Sequence, residues 1–314
     1  MTRQPSAQIG FETVVVGLDG RGDGRDALAL AGALLAPGGQ LILTTVLRPH
    51  GSARLAALFA DADRRAAAQM LDAARRGLEG PVSMAVEVRR SVSEGLHAVV
   101  ERYGADLLVV GSTHRGPLGR VMLGDDTRRA LNGARCAVAV APRGGETPRR
   151  LRTIAVGDDG SPESALALSA ARALAARSGA TIHVCAVVGP ASLTYRELSR
   201  MDLSEALAQQ VETEEVRLSR CDGVETDVME GEPGESLAEL GGEVDLLVIG
   251  SRGVGAWGRL ATGSTAAYLV RHAPCPVLIL PRVLAPSGAS APDAPSPGPR
   301  APAVAAPAPP HPAH

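Results

Sequence analysis

Residues 244–265 read VDLLVIGSRGVGAWGRLATGST. Leu246 to Ile249 is continuously apolar, and Gly250 ends the run. A short run with no polar alternate suits a parallel strand buried on both faces rather than a strand with one wet side. Beyond it, Gly250, Gly253, Gly263 and Ser264 follow the spacing G-x-x-G-x9-G-[ST], which suits phosphate cradling between a strand and a helix. The stretch is expected to be strand, glycine loop and helix.

The same frame stands about 139 residues earlier, where ADLLVVGS (105–112) leads to Gly111, His114, Gly124 and Asp125. Its second glycine and its final hydroxyl are replaced. Working outward, TVVVGLDG (13–20) matches TIAVGDDG (153–160), which aligns Asp19 with Asp159. Ala/Leu-rich helical segments follow, then LILTTVL (41–47) against TIHVCAVV (181–188), aligning Val46 with Val187. Longer charged helices are expected over about 54–79 and 195–219, then third strands at VSMAVEV and VETDVME, and last strands in CAVAVAPR (136–143) and CPVLILPR (275–282). Apolar strands alternating with amphipathic helices are βαβ units. The fold class is α/β, with each copy a five-stranded open parallel sheet carrying helices on both faces.

The expected organisation is a short N-terminus (1–10), a first domain (11–143), a linker (144–151), a second domain (152–282) and a Pro/Ala-rich tail (283–314). Such a tail buries too little apolar area to offset its ordering entropy, and is expected to be disordered. At 314 residues the chain has room for two domains with their own cores.

Net charge is −2 with interspersed signs, and aromatic residues make up 2%, which argues against nucleic-acid partners and base-stacking platforms. All 32 basic residues are Arg. Without Lys, neither a Walker-type phosphate clamp nor Schiff-base chemistry is available. Cys136, Cys185, Cys221 and Cys275 form no CxxC pair and read as buried thiols. The histidines, among them His97, His183 and His272, show no metal-ligand spacing. With no apolar run long enough to span a bilayer and no signal-like opening, a reduced, cytoplasmic, membrane-free protein is expected.

The repeated frame, the strand-end Asp, the glycine loop and the closing H-A-P-C-P-V (272–277) together resemble the universal stress protein family, as a tandem bacterial member. The resemblance covers both copies. It implies strand order 3-2-1-4-5, an adenine nucleotide such as ATP, with or without Mg²⁺, over the carboxyl ends of the first and fourth strands, and pairing through the last strands. The two copies would then form an internal pseudo-dimer, and a further homodimer and an unidentified protein partner are compatible with it.

In the second copy, Gly250 and Gly253 let backbone approach phosphates, and Gly263, Ser264 and Thr265 should open a helix whose amides and hydroxyls face the anion. Asp159 would accept from ribose hydroxyls or the adenine amino group. By the resemblance, Val187 offers backbone contacts to the adenine edge. Arg252 lies within the loop, and Ser251 and Asp158 flank it. The corresponding first-copy residues are Asp19, Val46, Gly111, His114 and Gly124. There Asp125 would cap a helix well but oppose a phosphate by about 4 kcal/mol at 4 Å and an effective dielectric near 20. His114, Arg115 and Arg120 could meet a phosphate instead, and a divalent ion could bridge Asp125 to one.

Three functions fit these residues: an ATP-dependent regulatory or stress-response protein, a slow ATPase or autophosphorylating protein with Ser264 or Thr265 as acceptor, and a scaffold binding a cyclic nucleotide or none. No base stands beside the loop to favour the enzyme. A dehydrogenase is excluded because neither first strand is followed by GxGxxG.

Overall fold

The computed structural model describes residues 10–19, 24–49, 53–112, 114–115, 121–122, 133–142, 144, 150–190, 202–251 and 263–281, with backbone alone at 53–57, 114–115 and 121–122. The expected tail, residues 145–149 of the linker, and Arg120, Gly124, Asp125, Arg252 and Gly253 lie outside the described residues.

The first half runs β1 (Phe11–Gly17), α1 (Arg25–Leu34), β2 (Leu35–Leu47), α2 (Ala53–Arg75), β3 (Val82–Val88), α3 (Val92–Tyr103), β4 (Leu107–Gly111), the two-residue strands β5 (His114–Arg115) and β6 (Val121–Met122), and β7 (Ala137–Ala141). The second runs β8 (Thr153–Gly157), α4 (Pro162–Ser178), β9 (Thr181–Val188), α5 (Leu203–Leu218), β10 (Glu225–Glu230), α6 (Pro233–Leu240), β11 (Leu246–Gly250), α7 (Ser264–His272) and β12 (Val277–Leu280).

Within the halves the strand orders are β3-β2-β1-β4-β7 and β10-β9-β8-β11-β12, all parallel, which is 3-2-1-4-5 twice over. β7 and β12 then pair antiparallel, Val140 opposite Val277 and Val138 opposite Ile279. That single ladder merges the halves into one ten-stranded sheet.

The central strands are buried on both faces, with Val14 to Val16 and Leu246 to Val248 wholly inaccessible. One face is covered by α1, α2, α4 and α5 through Leu30, Leu71, Leu174 and Leu218. The other is covered by α3, α6 and α7 through Leu96, Val99, Leu237 and Leu269. The continuous apolar runs of the sequence follow from this two-sided cover.

Local chemistry sets the helix ends. Ser91 and Ser161 cap α3 and α4 by accepting from the backbone of Glu94 and Ser164. Gly104 and Gly179 end the same helices in the left-handed region. α2 stops at Arg75 rather than near 79, because Gly77 and Gly80 take φ of 86° and 89° ahead of Pro81. α5 begins at Leu203, and positions 195–201 of the expected helix lie outside the described residues. β2 begins at Leu35 and bulges, its register against β1 slipping between Phe11 and Thr13 opposite the Pro37-Gly38-Gly39 stretch. No described helix is long and apolar enough to cross a membrane.

Candidate functional site

Strand order reverses between β8 and β11 in the second half: β8 leads outward to β9 and β11 outward to β12. Ligands of open α/β sheets bind outside the carboxyl ends at such a point. Ile249 pairs in register with Gly157, so the segment 158–161 and the pair Gly250–Ser251 leave adjacent strand ends. The ladder between β8 and β9 closes at Gly157–Cys185, and Val187 continues past it, paired on its other side with Met229.

The 158–161 turn is held by its own side chains. Asp158, 8% exposed, accepts from the Gly160 amide at 2.7 Å, the Ser164 hydroxyl at 2.8 Å and Nη1 of Arg217 at 3.0 Å. Asp159 stands exposed at the rim and accepts from the Ser161 amide at 3.0 Å. Gly160 takes φ 73°, the left-handed conformation that lets the turn close. Arg217 on α5 also meets Glu214 through Nε at 2.7 Å and Nη2 at 2.6 Å; the Nη2 contact is an ion pair without hydrogen-bond geometry. Burial pulls the Arg217 pKa down, but the Glu214 and Asp158 carboxylates outweigh it and hold it above the usual value.

Gly250 has a packing role that its place in the motif does not announce. A Cβ there would stand 2.6 Å from the carbonyl carbon of Glu163, so its bare face abuts the first turn of α4. Ser251 is 1% exposed, its amide donating to Leu280 at 2.9 Å. Gly263 is the N-cap of α7 with no side-chain cap, and the first intrahelical bond runs from Ala267 to Gly263. The Ser264, Thr265 and Ala266 amides therefore precede the first intrahelical bond. Of the six helices whose N-cap is described, α7 alone carries no acid in its first turn. No acid of its own first turn compensates its positive dipole end, a setting suited to an anion.

The first half repeats the backbone frame with different side chains. Leu18 donates its amide to Thr44 at 2.8 Å as Asp158 does to Cys185 at 2.9 Å. Asp19 follows it, exposed. Ser112 bonds Ala141 as Ser251 bonds Leu280. Val46 runs past the β1 ladder, paired with Glu87, and a Cβ on Gly111 would meet nothing within 4 Å. His114 and Arg115 lie in β5, which pairs antiparallel with β6 as a small hairpin in the loop after β4.

Among the described residues no group of His, Cys, Asp and Glu forms a metal cluster. A surface cavity of about 670 Å³ lies at the amino ends of β9 and β10, lined by Arg172, Ala176, Thr181, Val224 and Glu225, away from the strand-order switch. Sequence reasoning gave Asp158 little weight and overlooked Arg217 and Ser164. Two adjacent acids at a strand end are a usable signal, since the turn can expose only one; nothing local marks Arg217, 59 positions from its partner.

The universal stress protein family matches twice, over residues 10–142 and 150–281. A universal stress protein of Thermus aquaticus is 34% identical over 137 residues, 41% of this chain and 98% of that protein. One from Mycobacterium tuberculosis strain H37Rv is 29% identical over 238 residues, 71% of this chain and 80% of the relative. Among solved structures, a universal stress protein from Archaeoglobus fulgidus superposes with a TM-score of 0.58 at 18% identity, covering 87% of this chain and 99% of that one. At that identity the likeness is one of fold. With two matches that together span most of its length, the chain belongs to the universal stress protein family.

Proposed function

We propose that the second half binds ATP and that the protein acts as a nucleotide-dependent regulator in the stress response. The carrying observation is the first turn of α7, uncapped and free of acids beyond the switch-point loop. The triphosphate would lie against the Ser264 and Thr265 amides and hydroxyls, with Arg252 and Gly253 in the loop before them. The nucleoside would lie toward Asp159 and the Val187 edge. Mg²⁺ would accompany the phosphates as a counter-ion.

The first half offers a poorer site. Asp125 replaces the helix-start hydroxyl and Leu18 replaces Asp158. One nucleotide per chain is the expected stoichiometry.

Calorimetric titration of ATP into the stripped full-length chain tests this, alongside Gly263→Asp. The substitution puts a carboxylate at the helix start, where a unit-charge pair at about 4 Å costs on the order of 4 kcal/mol at an effective dielectric near 20. Affinity should fall by 100-fold or more with the fold intact. Unchanged affinity would remove the α7 loop as the site.

A further inference from the structure

Asp158 is a buried carboxylate bonded on three sides, and none of its partners is a ligand. It holds the 158–161 turn from beneath: the Gly160 amide, the Ser164 hydroxyl and the Arg217 guanidinium all converge on its Oδ1. Gly160 packs over that guanidinium, its missing Cβ 3.6 Å from Arg217 Nε. Ser161, the last residue of the turn, is fixed twice more: its amide bonds Asp159 and its hydroxyl receives the Ser164 amide at 3.2 Å. Asp159 thus leaves a turn tied to α4 through Ser161 and Ser164 and to α5 through the Asp158–Arg217 pair.

The first half provides the control. Leu18 occupies the corresponding place, 6% exposed, with the same strand-end backbone bond. It makes no polar network. Its Cδ2 lies 2.5 Å from where a Cβ on Gly24 would stand, and Gly24 opens α1 in the left-handed region with no side-chain cap. The buried place behind the strand end is therefore filled by a carboxylate that gathers hydrogen bonds in the second half and by an apolar side chain in the first.

We propose that Asp158 and Arg217 are positioning residues for the nucleoside end of the second-half site, and that the Leu18-for-Asp158 difference is a specificity determinant separating the halves. The inference rests on the ATP reading above. An unbraced turn must lose backbone freedom when a nucleoside docks on Asp159, and a turn already held does not. Neither side chain touches the ligand; both act through Asp159. Phosphate recognition at α7 is independent of them.

The test compares ATP with inorganic triphosphate as competitors of a fluorescent ATP analogue on the full-length chain. Asp158→Leu installs the first half's residue, Arg217→Met removes the charge while keeping the stem, and Arg217→Lys restores a cation. Asp158→Leu and Arg217→Met should weaken ATP tenfold or more while changing triphosphate less than twofold. Arg217→Lys should recover at least a third of the lost ATP affinity. Amide exchange at Gly160, Ser161 and Ser164 in the ligand-free chain should accelerate in the first two variants. If Asp158→Leu does not fold, the Arg217 pair carries the same comparison. Equal loss for both competitors, or unchanged ATP affinity, overturns the positioning role. A wild-type chain that binds no ATP overturns the functional reading, and this inference with it.

Discussion

The Arg177 guanidinium, on α4 of the second half, donates to the carbonyl oxygens of Leu34, at 3.3 Å, and Leu35 at the end of α1 in the first. The last carbonyls of a helix have no intrahelical partner, and here a residue 143 positions away supplies one. The two halves are therefore joined on the α1–α4 face of the sheet as well as through β7 and β12. Arg177→Met keeps the aliphatic stem and strands the two carbonyls. It should cost about 1 kcal/mol, below the roughly 1.5–3 usual for charged hydrogen bonds because the side chain is partly solvated. Urea unfolding of the two chains measures this; no difference would mean water replaces the guanidinium without loss.

Gly250 and Gly111 hold equivalent places but should not respond alike to substitution. At Gly250 a Cβ would lie 2.6 to 2.7 Å from the backbone and Cβ of Glu163, atoms that cannot swing aside; at Gly111 it would meet nothing within 4 Å. Gly250→Ala should destabilise by about 1–3 kcal/mol through overpacking. Gly111→Ala should stay within about 0.5 kcal/mol. Thermal melts of both variants would show whether the motif glycine serves α4 packing, and equal shifts would refute that.

The architecture was legible because it rests on patterns that local sequence carries. The runs at 107–111 and 246–250 are apolar at every side-chain position since both sheet faces are covered, and the repeat fixed the strand count. Of the candidate site, the motif spacing anticipated that Gly263 and Ser264 stand at the start of a helix. The site was not legible at Asp158 and Arg217, because their pairing depends on where α5 comes to lie, which no local pattern encodes. Gly250 carries a further constraint that the motif does not announce, since its close contact with Glu163 belongs to the tertiary fold.

Three thiols should be chemically silent in the folded chain. Burial pushes Cys136, Cys185 and Cys275 up to about 12. The thiolate is the reactive form, so at neutral pH almost none is present. Cys221, half-buried beyond the end of α5, is the accessible one. A chromogenic disulfide reagent at pH 8 should label one thiol quickly and the remaining three only on denaturation. Rapid labelling of two or more would show that a sheet face opens locally.

Asp106 reaches back from the start of β4 to accept from the Glu12 amide at 2.8 Å and the Thr13 amide at 3.1 Å, closing the start of β1. Asp245 does the same for Arg152 at 2.6 Å and Thr153 at 3.1 Å in the second half. Burial raises the Asp106 pKa above 3.8, and the two amide bonds only partly oppose it. Between 3.8 and that raised value the folded chain holds more protons at this site than the unfolded chain. The contribution of Asp106 is therefore fully present below 3.8 and declines as pH rises through the raised pKa. Asp106→Asn cannot titrate yet keeps one acceptor oxygen. The stability of wild type relative to Asp106→Asn should therefore be greater at pH 4 than at pH 7. Urea unfolding of both chains at the two pH values measures it. A flat or inverted difference would show that the amide bonds, not burial, dominate the carboxylate.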